Sequence, residues 1–137
     1  MTAIRVVLAE DQPMVRAGFR ALLDATSDIE VVGEAATGSG ALEEVRALRP
    51  DVVVMDIHMP RLDGIEATRL IRAQLRRTRV VVVTSSGSIG HRAEALAAGA
   101  AAFLHKDAPL DELIATVAGT PAGSSAPVRL QLRQASC

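Results

Sequence analysis

The chain has 137 residues, 49 % of them hydrophobic and 23 % charged, with a net charge of −1. That is enough for one globular domain with its own core, and too neutral to hold nucleic acid by bulk charge. Phe19 and Phe103 are the only aromatics, so the core is aliphatic and base stacking is excluded as a mechanism.

In chain order, Ile4-Arg5-Val6-Val7-Leu8-Ala9 reads as a strand that ends at Glu10-Asp11. Pro13 suits the first position of a helix, with Asp11 as its capping candidate. Val15, Gly18, Phe19 and Leu22 recur at helical spacing and form its apolar face. Residues 29–35 read as a second strand. Gly38 and Gly40 open a second helix with Ala41, Val45 and Leu48 on one side, and Arg49-Pro50 stops it. Val52-Val53-Val54-Met55 is a short apolar run that drives straight into Asp56. All-apolar strands of this kind suit a parallel sheet covered on both faces.

Ile57-His58-Met59-Pro60 follows, and Asp63-Gly64 starts a helix with Ile65, Thr68, Ile71 and Leu75 on one face. Arg76, Arg77 and Arg79 close it. With Arg72 they form a basic stretch that reads as a solvated helix end, favoured by the C-terminal dipole. Val80-Val81-Val82-Val83 is a fourth buried strand ending at Thr84-Ser85-Ser86. The next helix carries Ile89, Ala93 and Leu96 on one side and stops at Gly99. Residues 101–105 form a fifth strand ending at Lys106, and Asp107-Ala108-Pro109 opens a last helix with Leu110, Leu113, Ile114 and Val117 in register.

Beyond Gly119 the chain turns small and turn-rich, which is linker composition. Residues 1–119 are therefore expected to form the folded domain. Residues 120–137 are expected to be a linker-like tail, mostly unstructured. No apolar stretch is long enough to span a bilayer, and no membrane role is expected. The single cysteine, Cys137, cannot build a disulfide framework. A reducing, cytoplasmic setting is the simplest reading.

Five strands alternating with five helices at short spacing predict right-handed βαβ units and an α/β, parallel, doubly wound sheet with helices on both faces. In such sheets chemistry gathers outside the carboxyl ends of the strands. Here those ends carry Glu10-Asp11, Asp56, Thr84 and Lys106. Three carboxylates brought together repel one another unless a cation sits among them. Oxygen donors without cysteine or a histidine pair suit a hard ion, Mg²⁺ foremost. A lysine and a hydroxyl beside a metal-bound carboxylate make a site for a phosphoryl group. An aspartate can itself attack phosphorus and form an aspartyl phosphate.

At Glu10-Asp11, Asp56 with Met59-Pro60 and Asp63-Gly64 behind it, Thr84-Ser85, Gly99-Ala100 and Phe103-Leu104-His105-Lys106-Asp107, the chain closely resembles the receiver domain of two-component response regulators. The resemblance covers residues 4–118 and is nearest the NarL/FixJ branch. Each short motif is weak alone, and five in order at strand ends are specific. The resemblance implies a five-stranded CheY-like (flavodoxin-like) sheet of order 2-1-3-4-5. It implies that Asp56 accepts a phosphoryl group from a sensor histidine kinase and that Lys106 pairs with the phosphoryl oxygens. It also implies Mg²⁺ on Asp11, Asp56 and the His58 backbone carbonyl, with Glu10 acting mainly through water. Thr84 would move toward the phosphoryl group and Phe103 would turn inward, altering the surface of the fourth helix, fifth strand and fifth helix. Homodimerisation or partner docking is the implied output, as in transcription regulation, with no enzymatic turnover of its own.

Departures and competing readings stand beside this. Asp107 follows Lys106 where many receivers have proline, which leaves the isomer of that peptide bond open. The residues after the linker are too few for a helix-turn-helix domain, so DNA contact is expected only through a C-terminal domain absent here. The alternative is a phosphorylation-independent interaction module of the same fold. An aspartate-dependent phosphatase of the haloacid dehalogenase type ranks last, because it needs a second aspartate where His58 stands. Gly38-Ser39-Gly40 lacks the third glycine of a dinucleotide fingerprint, with Glu43 in its place. His58, His91 and His105 are scattered without ligand spacing, so no transition-metal site is expected.

Overall fold

The computed structural model describes residues 3–85 and 89–119. Ser86 and the expected tail, residues 120–137, lie outside the described residues. The elements are β1 (Ile4–Ala9), α1 (Pro13–Ala25), β2 (Ile29–Ala35), α2 (Gly38–Leu48), β3 (Val52–Met55), α3 (Gly64–Gln74), β4 (Arg79–Thr84), α4 (Ile89–Ala97), β5 (Ala102–His105) and α5 (Leu110–Val117). The strands form one parallel sheet in the order β2-β1-β3-β4-β5, the class and order expected.

Side-chain alternation along each strand divides the core into two layers. Val7, Ala9, Val53, Met55, Val80 and Val82 pack under Ala41 and Val45 of α2, Ile65 and Ile71 of α3, and Ala95 of α4. Val6, Leu8, Val52, Val54, Val81 and Val83 face Leu23 of α1 and Leu113, Ile114 and Val117 of α5. Both faces being covered, β3 and β4 have no solvent side to mark with polar residues. Each layer receives one of the two phenylalanines, Phe103 the first and Phe19 the second, both partly buried.

Local chemistry sets the helix ends. Thr37 caps α2 by accepting from the Gly40 N–H at 2.9 Å, and Asp63 caps α3 by accepting from the Glu66 N–H at 2.9 Å. The cap of α1 is Gln12, without a side-chain bond. Asp11 comes one residue too early, and its carboxylate lies instead with Glu10 and Asp56. Gly18 is exposed, and Leu23 takes the central place on the buried side of α1. In α5, Leu110 stays 57 % exposed while Leu113, Ile114 and Val117 are buried.

The largest difference from the sequence pattern is in α4. Its inward stripe is His91, Ala95 and Ala98, with Ala93 exposed and Leu96 42 % exposed. Alanines are small enough to lie close on the sheet and carry too little hydropathy to announce the face. The basic stretch also divides. Arg72 donates to the carbonyls of Arg76 and Thr78, closing α3. Arg79 begins β4 and donates to the carbonyls of Thr116 (3.2 Å) and Val117 (2.6 Å), so it closes α5. Arg79→Ala is expected to lower stability by about 1–2 kcal/mol, because two charge-assisted bonds go and the Val117 carbonyl loses this donor, while the Thr116 carbonyl keeps the Gly119 N–H. Arg77→Ala, on an exposed residue, is expected to stay within about 0.5 kcal/mol. Urea titration of both variants checks the contrast.

Candidate functional site

The strand register brings the chemistry to one edge. Ala9 pairs with Met55, Met55 with Val82, and Thr84 with His105. The next residue in three of the four strands is therefore Glu10, Asp56 or Lys106. Backbone bonds carry the sheet pattern past the strand ends: Glu10 N–H to the Ala35 carbonyl (2.9 Å), Asp56 N–H to that of Ala9 (3.0 Å), and Lys106 N–H to that of Thr84 (2.9 Å). These residues are held by the sheet itself, which limits their movement.

Carboxylate oxygens of Glu10, Asp11 and Asp56 all lie within 4.8 Å of one another. Glu10 and Asp56 are buried, and Asp11 is more open to solvent. Lys106 Nζ reaches Glu10 Oε1 at 2.5 Å and Asp56 Oδ2 at 3.2 Å. Asp56 Oδ1 accepts from the Ile57 N–H at 2.8 Å, and Glu10 Oε2 accepts from the Gln12 N–H at 3.2 Å. Asp56 is thereby pinned by one oxygen, with the other toward the lysine.

Charge balance here is incomplete. One ammonium faces three carboxylates. Burial raises the Glu10 carboxyl above its ordinary value; the bonds from Lys106 and Gln12 oppose that, and the nearby Asp56 adds to it. Burial alone would lower the Lys106 ammonium, but the bond to Glu10 and the charges of Asp56 and Glu10 outweigh it and leave Lys106 raised. Among the described residues, the buried Glu10 Oε1 has no hydrogen-bond partner besides the Lys106 ammonium with which it is ion-paired. A buried, under-satisfied carboxylate oxygen among other carboxylates fits a hard divalent cation, and the donor set is all oxygen.

The family model of the response regulator receiver domain matches residues 6–118. The chain belongs to that family. Over 122 residues the receiver is 39 % identical to the transcriptional regulatory protein YxjL of Bacillus subtilis, covering 89 % of this chain and 56 % of that protein. It is 42 % identical over 113 residues to YhcZ of the same organism, covering 82 % and 53 %. The chain thus spans about half the length of the curated relatives it matches. Among solved structures it matches the signal receiver domain of the response regulator NarL from Mycobacterium tuberculosis, with a TM-score of 0.81 and 32 % identity, over 87 % of this chain and 99 % of that one.

Within the receiver, Glu10, Asp11, Asp56 and Lys106 are brought together as anticipated from the strand ends. Thr84 is fully buried at the end of β4. Phe103, on β5, packs partly buried against the layer under α2, α3 and α4. His58 is exposed on the loop that follows Asp56. The Lys106–Asp107 peptide bond is trans. No helix among the described residues is long and apolar enough to cross a membrane.

Two supports were not legible beforehand. His105 Nδ1 accepts from the Asp107 N–H at 3.1 Å, which leaves the ring proton on Nε2, 3.0 Å from the Ser85 carbonyl. This ties the loop after Thr84 to the end of β5. Gly64 packs so tightly that a Cβ there would stand 1.8 Å from the Asp56 carbonyl oxygen. Asp-Gly is a common turn and helix-start signal, so nothing in the pattern says this glycine supports the site.

Proposed function

We propose that Asp56 is the phosphoacceptor of a two-component receiver. What supports this best is an aspartate at a strand end, held on one oxygen by Ile57 N–H, with Lys106 3.2 Å from the other and two more carboxylates beside it. The Asp56 oxygen attacks the phosphorus of a phosphohistidine on a sensor histidine kinase. The P–N bond breaks, the imidazole nitrogen takes the leaving electron pair and a proton, and an aspartyl phosphate remains. Lys106 already sits where it can exchange its carboxylate contacts for a phosphoryl oxygen. Asp11, Asp56 and the His58 backbone carbonyl would hold Mg²⁺, with Glu10 acting mainly through water. When bound, that ion supplies charge neutralisation for the transferring group.

Phosphorylation then biases a two-state equilibrium. The Thr84 hydroxyl moves toward the phosphoryl group, Phe103 turns inward, and the surface of α4, β5 and α5 changes. That surface controls homodimerisation or an output, and transcription regulation is the output named for the curated relatives. Contact with DNA belongs to a further domain. A switch-independent interaction module is the alternative, and uptake of phosphate separates the two. Incubation with acetyl phosphate and Mg²⁺ is expected to add one phosphoryl group per chain, and with chelator none. No gain in either would turn the reading to the interaction module.

Cation binding has its own signed expectation. Mg²⁺ at about ten times its Kd is expected to raise stability by about 1.4 kcal/mol at neutral pH. The raised Glu10 carboxyl means that metal-free stability is fullest while Glu10 is protonated and declines as pH rises through its folded-state value. The Mg²⁺ increment runs the other way. It is expected to fade on acidification beginning above the ordinary carboxylate range, since Glu10 takes up its proton early. Thermal melts with and without Mg²⁺ across that range check the opposed slopes, and Asp11→Asn is expected to remove most of the increment.

A further inference from the structure

Phase and position bring two histidines together that are 33 residues apart. His91 lies on the inward stripe of α4, with Ala95 and Ala98. His58 lies on the loop after β3. Their ring centroids are 5.4 Å apart, with an interplanar angle of 71°. They line an open cleft of about 290 Å³ together with Ile57, Asp63, Ile65, Glu66, Arg69 and Glu94.

The carboxylates of that cleft are not equivalent. Asp63 accepts from the Glu66 N–H as the cap of α3. Glu66 pairs with Arg69. Glu94 is exposed on α4, three residues beyond His91, which puts it on the same helix face. Two imidazoles held on one Zn²⁺ at about 2.0–2.1 Å in tetrahedral array have ring centres about 5 Å apart. The observed 5.4 Å is close to that separation. In this structure the ligand atoms of His58, His91 and Glu94 are not all within 4.8 Å of one another; among the described residues Glu10, Asp11 and Asp56 form such a set. Closing the triad requires these side chains to turn, and His58 and Glu94 are exposed.

We propose that His58, His91 and Glu94 form a second metal site, for a borderline ion of the Zn²⁺ class, distinct in donor chemistry from the all-oxygen site at Asp56. Imidazole nitrogens select such ions over Mg²⁺, which prefers oxygen. The open fourth position is left to water. A bound ion would fasten the loop after Asp56 to α4, the helix that follows the Thr84 loop. The site stands on side chains that take no part in phosphoryl uptake, so it holds or fails independently of the phosphoacceptor reading.

The test is Zn²⁺ titration of the full chain by calorimetry in saturating Mg²⁺, which occupies the carboxylate cluster. One Zn²⁺ per chain is expected. His91→Ala and His58→Ala are each expected to weaken binding at least about tenfold, a loss that even an outer-sphere partner can cause, and Glu94→Gln to weaken it less. Cys137→Ser and Asp11→Asn are expected to leave it unchanged. His58 is exposed, so its variant reads the site even if His91→Ala fails to fold. Co²⁺ in place of Zn²⁺ is expected to give visible bands that vanish in both histidine variants. Binding that survives both histidine variants, or that disappears in Asp11→Asn or Cys137→Ser, would overturn the proposal.

Discussion

Asparagine in place of Asp56 is expected to leave the protein folded and to reduce phosphoryl uptake at least about a thousandfold, some 4 kcal/mol of lost barrier lowering. The amide keeps the shape of the carboxylate, and its oxygen can still accept from Ile57 N–H as Asp56 Oδ1 does at 2.8 Å. What it loses is the nucleophile. Stability is expected to change by less than about 1 kcal/mol, because removing one of three clustered charges relieves repulsion while Lys106 keeps Glu10. Neither neighbour is placed to substitute. Glu10 is 1 % exposed and held by Lys106 and Gln12, and Asp11 lacks the fixed bond that orients Asp56. Uptake from acetyl phosphate, followed by intact mass against time, measures the loss. A variant that still fills at the normal rate would show that another group is the acceptor.

The second large effect comes from a residue with no chemistry of its own. Gly64→Ala is expected to lower stability by about 3 kcal/mol or more and to disturb phosphoryl uptake as well. Elsewhere in a helix the same change gains about 0.5–1 kcal/mol, since alanine loses less entropy than glycine. Here the new methyl would meet the Asp56 carbonyl oxygen at 1.8 Å and its carbonyl carbon at 2.8 Å. Backbone cannot swing aside as a side chain can, so α3 must lift from β3 or Asp56 must move. Gly18→Ala is the control. Position 18 is in α1 with nothing within 4 Å of a built Cβ, and the ordinary gain is expected there. Opposite signs for the two glycines, read from paired denaturant curves, would establish close packing rather than helix propensity as the cause. A stabilised Gly64→Ala would contradict it.

These two positions show what can be read along the chain and what needs three dimensions. Asp56 is visible because an all-apolar run, Val52-Val53-Val54-Met55, stops at it, and the acids and lysine at the other strand ends fall in the same relation to their own runs. Parallel pairing then converts four strand ends into one edge. The order of the strands followed from resemblance, since alternation alone does not choose among doubly wound topologies.

Other features depend on contacts between distant segments. Gly64 reads locally as a turn, and only the approach of α3 to the Asp56 carbonyl gives it a second role. Arg79 reads as the end of one helix and serves the end of another, 37 residues on. The buried face of α4 was misjudged because Leu96 outweighs Ala95 and Ala98 in hydropathy, yet the small residues are the ones that fit against the sheet. That error of phase also hid the histidine pair. With Ala93 and Leu96 inward, His91 would have pointed away from His58. Asp11 reads along the chain both as a helix cap and as one of the strand-end carboxylates, and the structure places it in the carboxylate cluster while Gln12 takes the cap position.

The most direct test of the Asp56 account is to trap the acyl phosphate where it forms. The protein is phosphorylated with acetyl phosphate and Mg²⁺, reduced with borohydride, digested and sequenced by mass spectrometry. Reduction converts an aspartyl phosphate to homoserine and leaves free carboxylates alone. The expected result is homoserine at position 56 and nowhere else, absent when Mg²⁺ is withheld. Homoserine at position 11, or a stable phosphoryl group on a histidine or hydroxyl with position 56 unchanged, would contradict it.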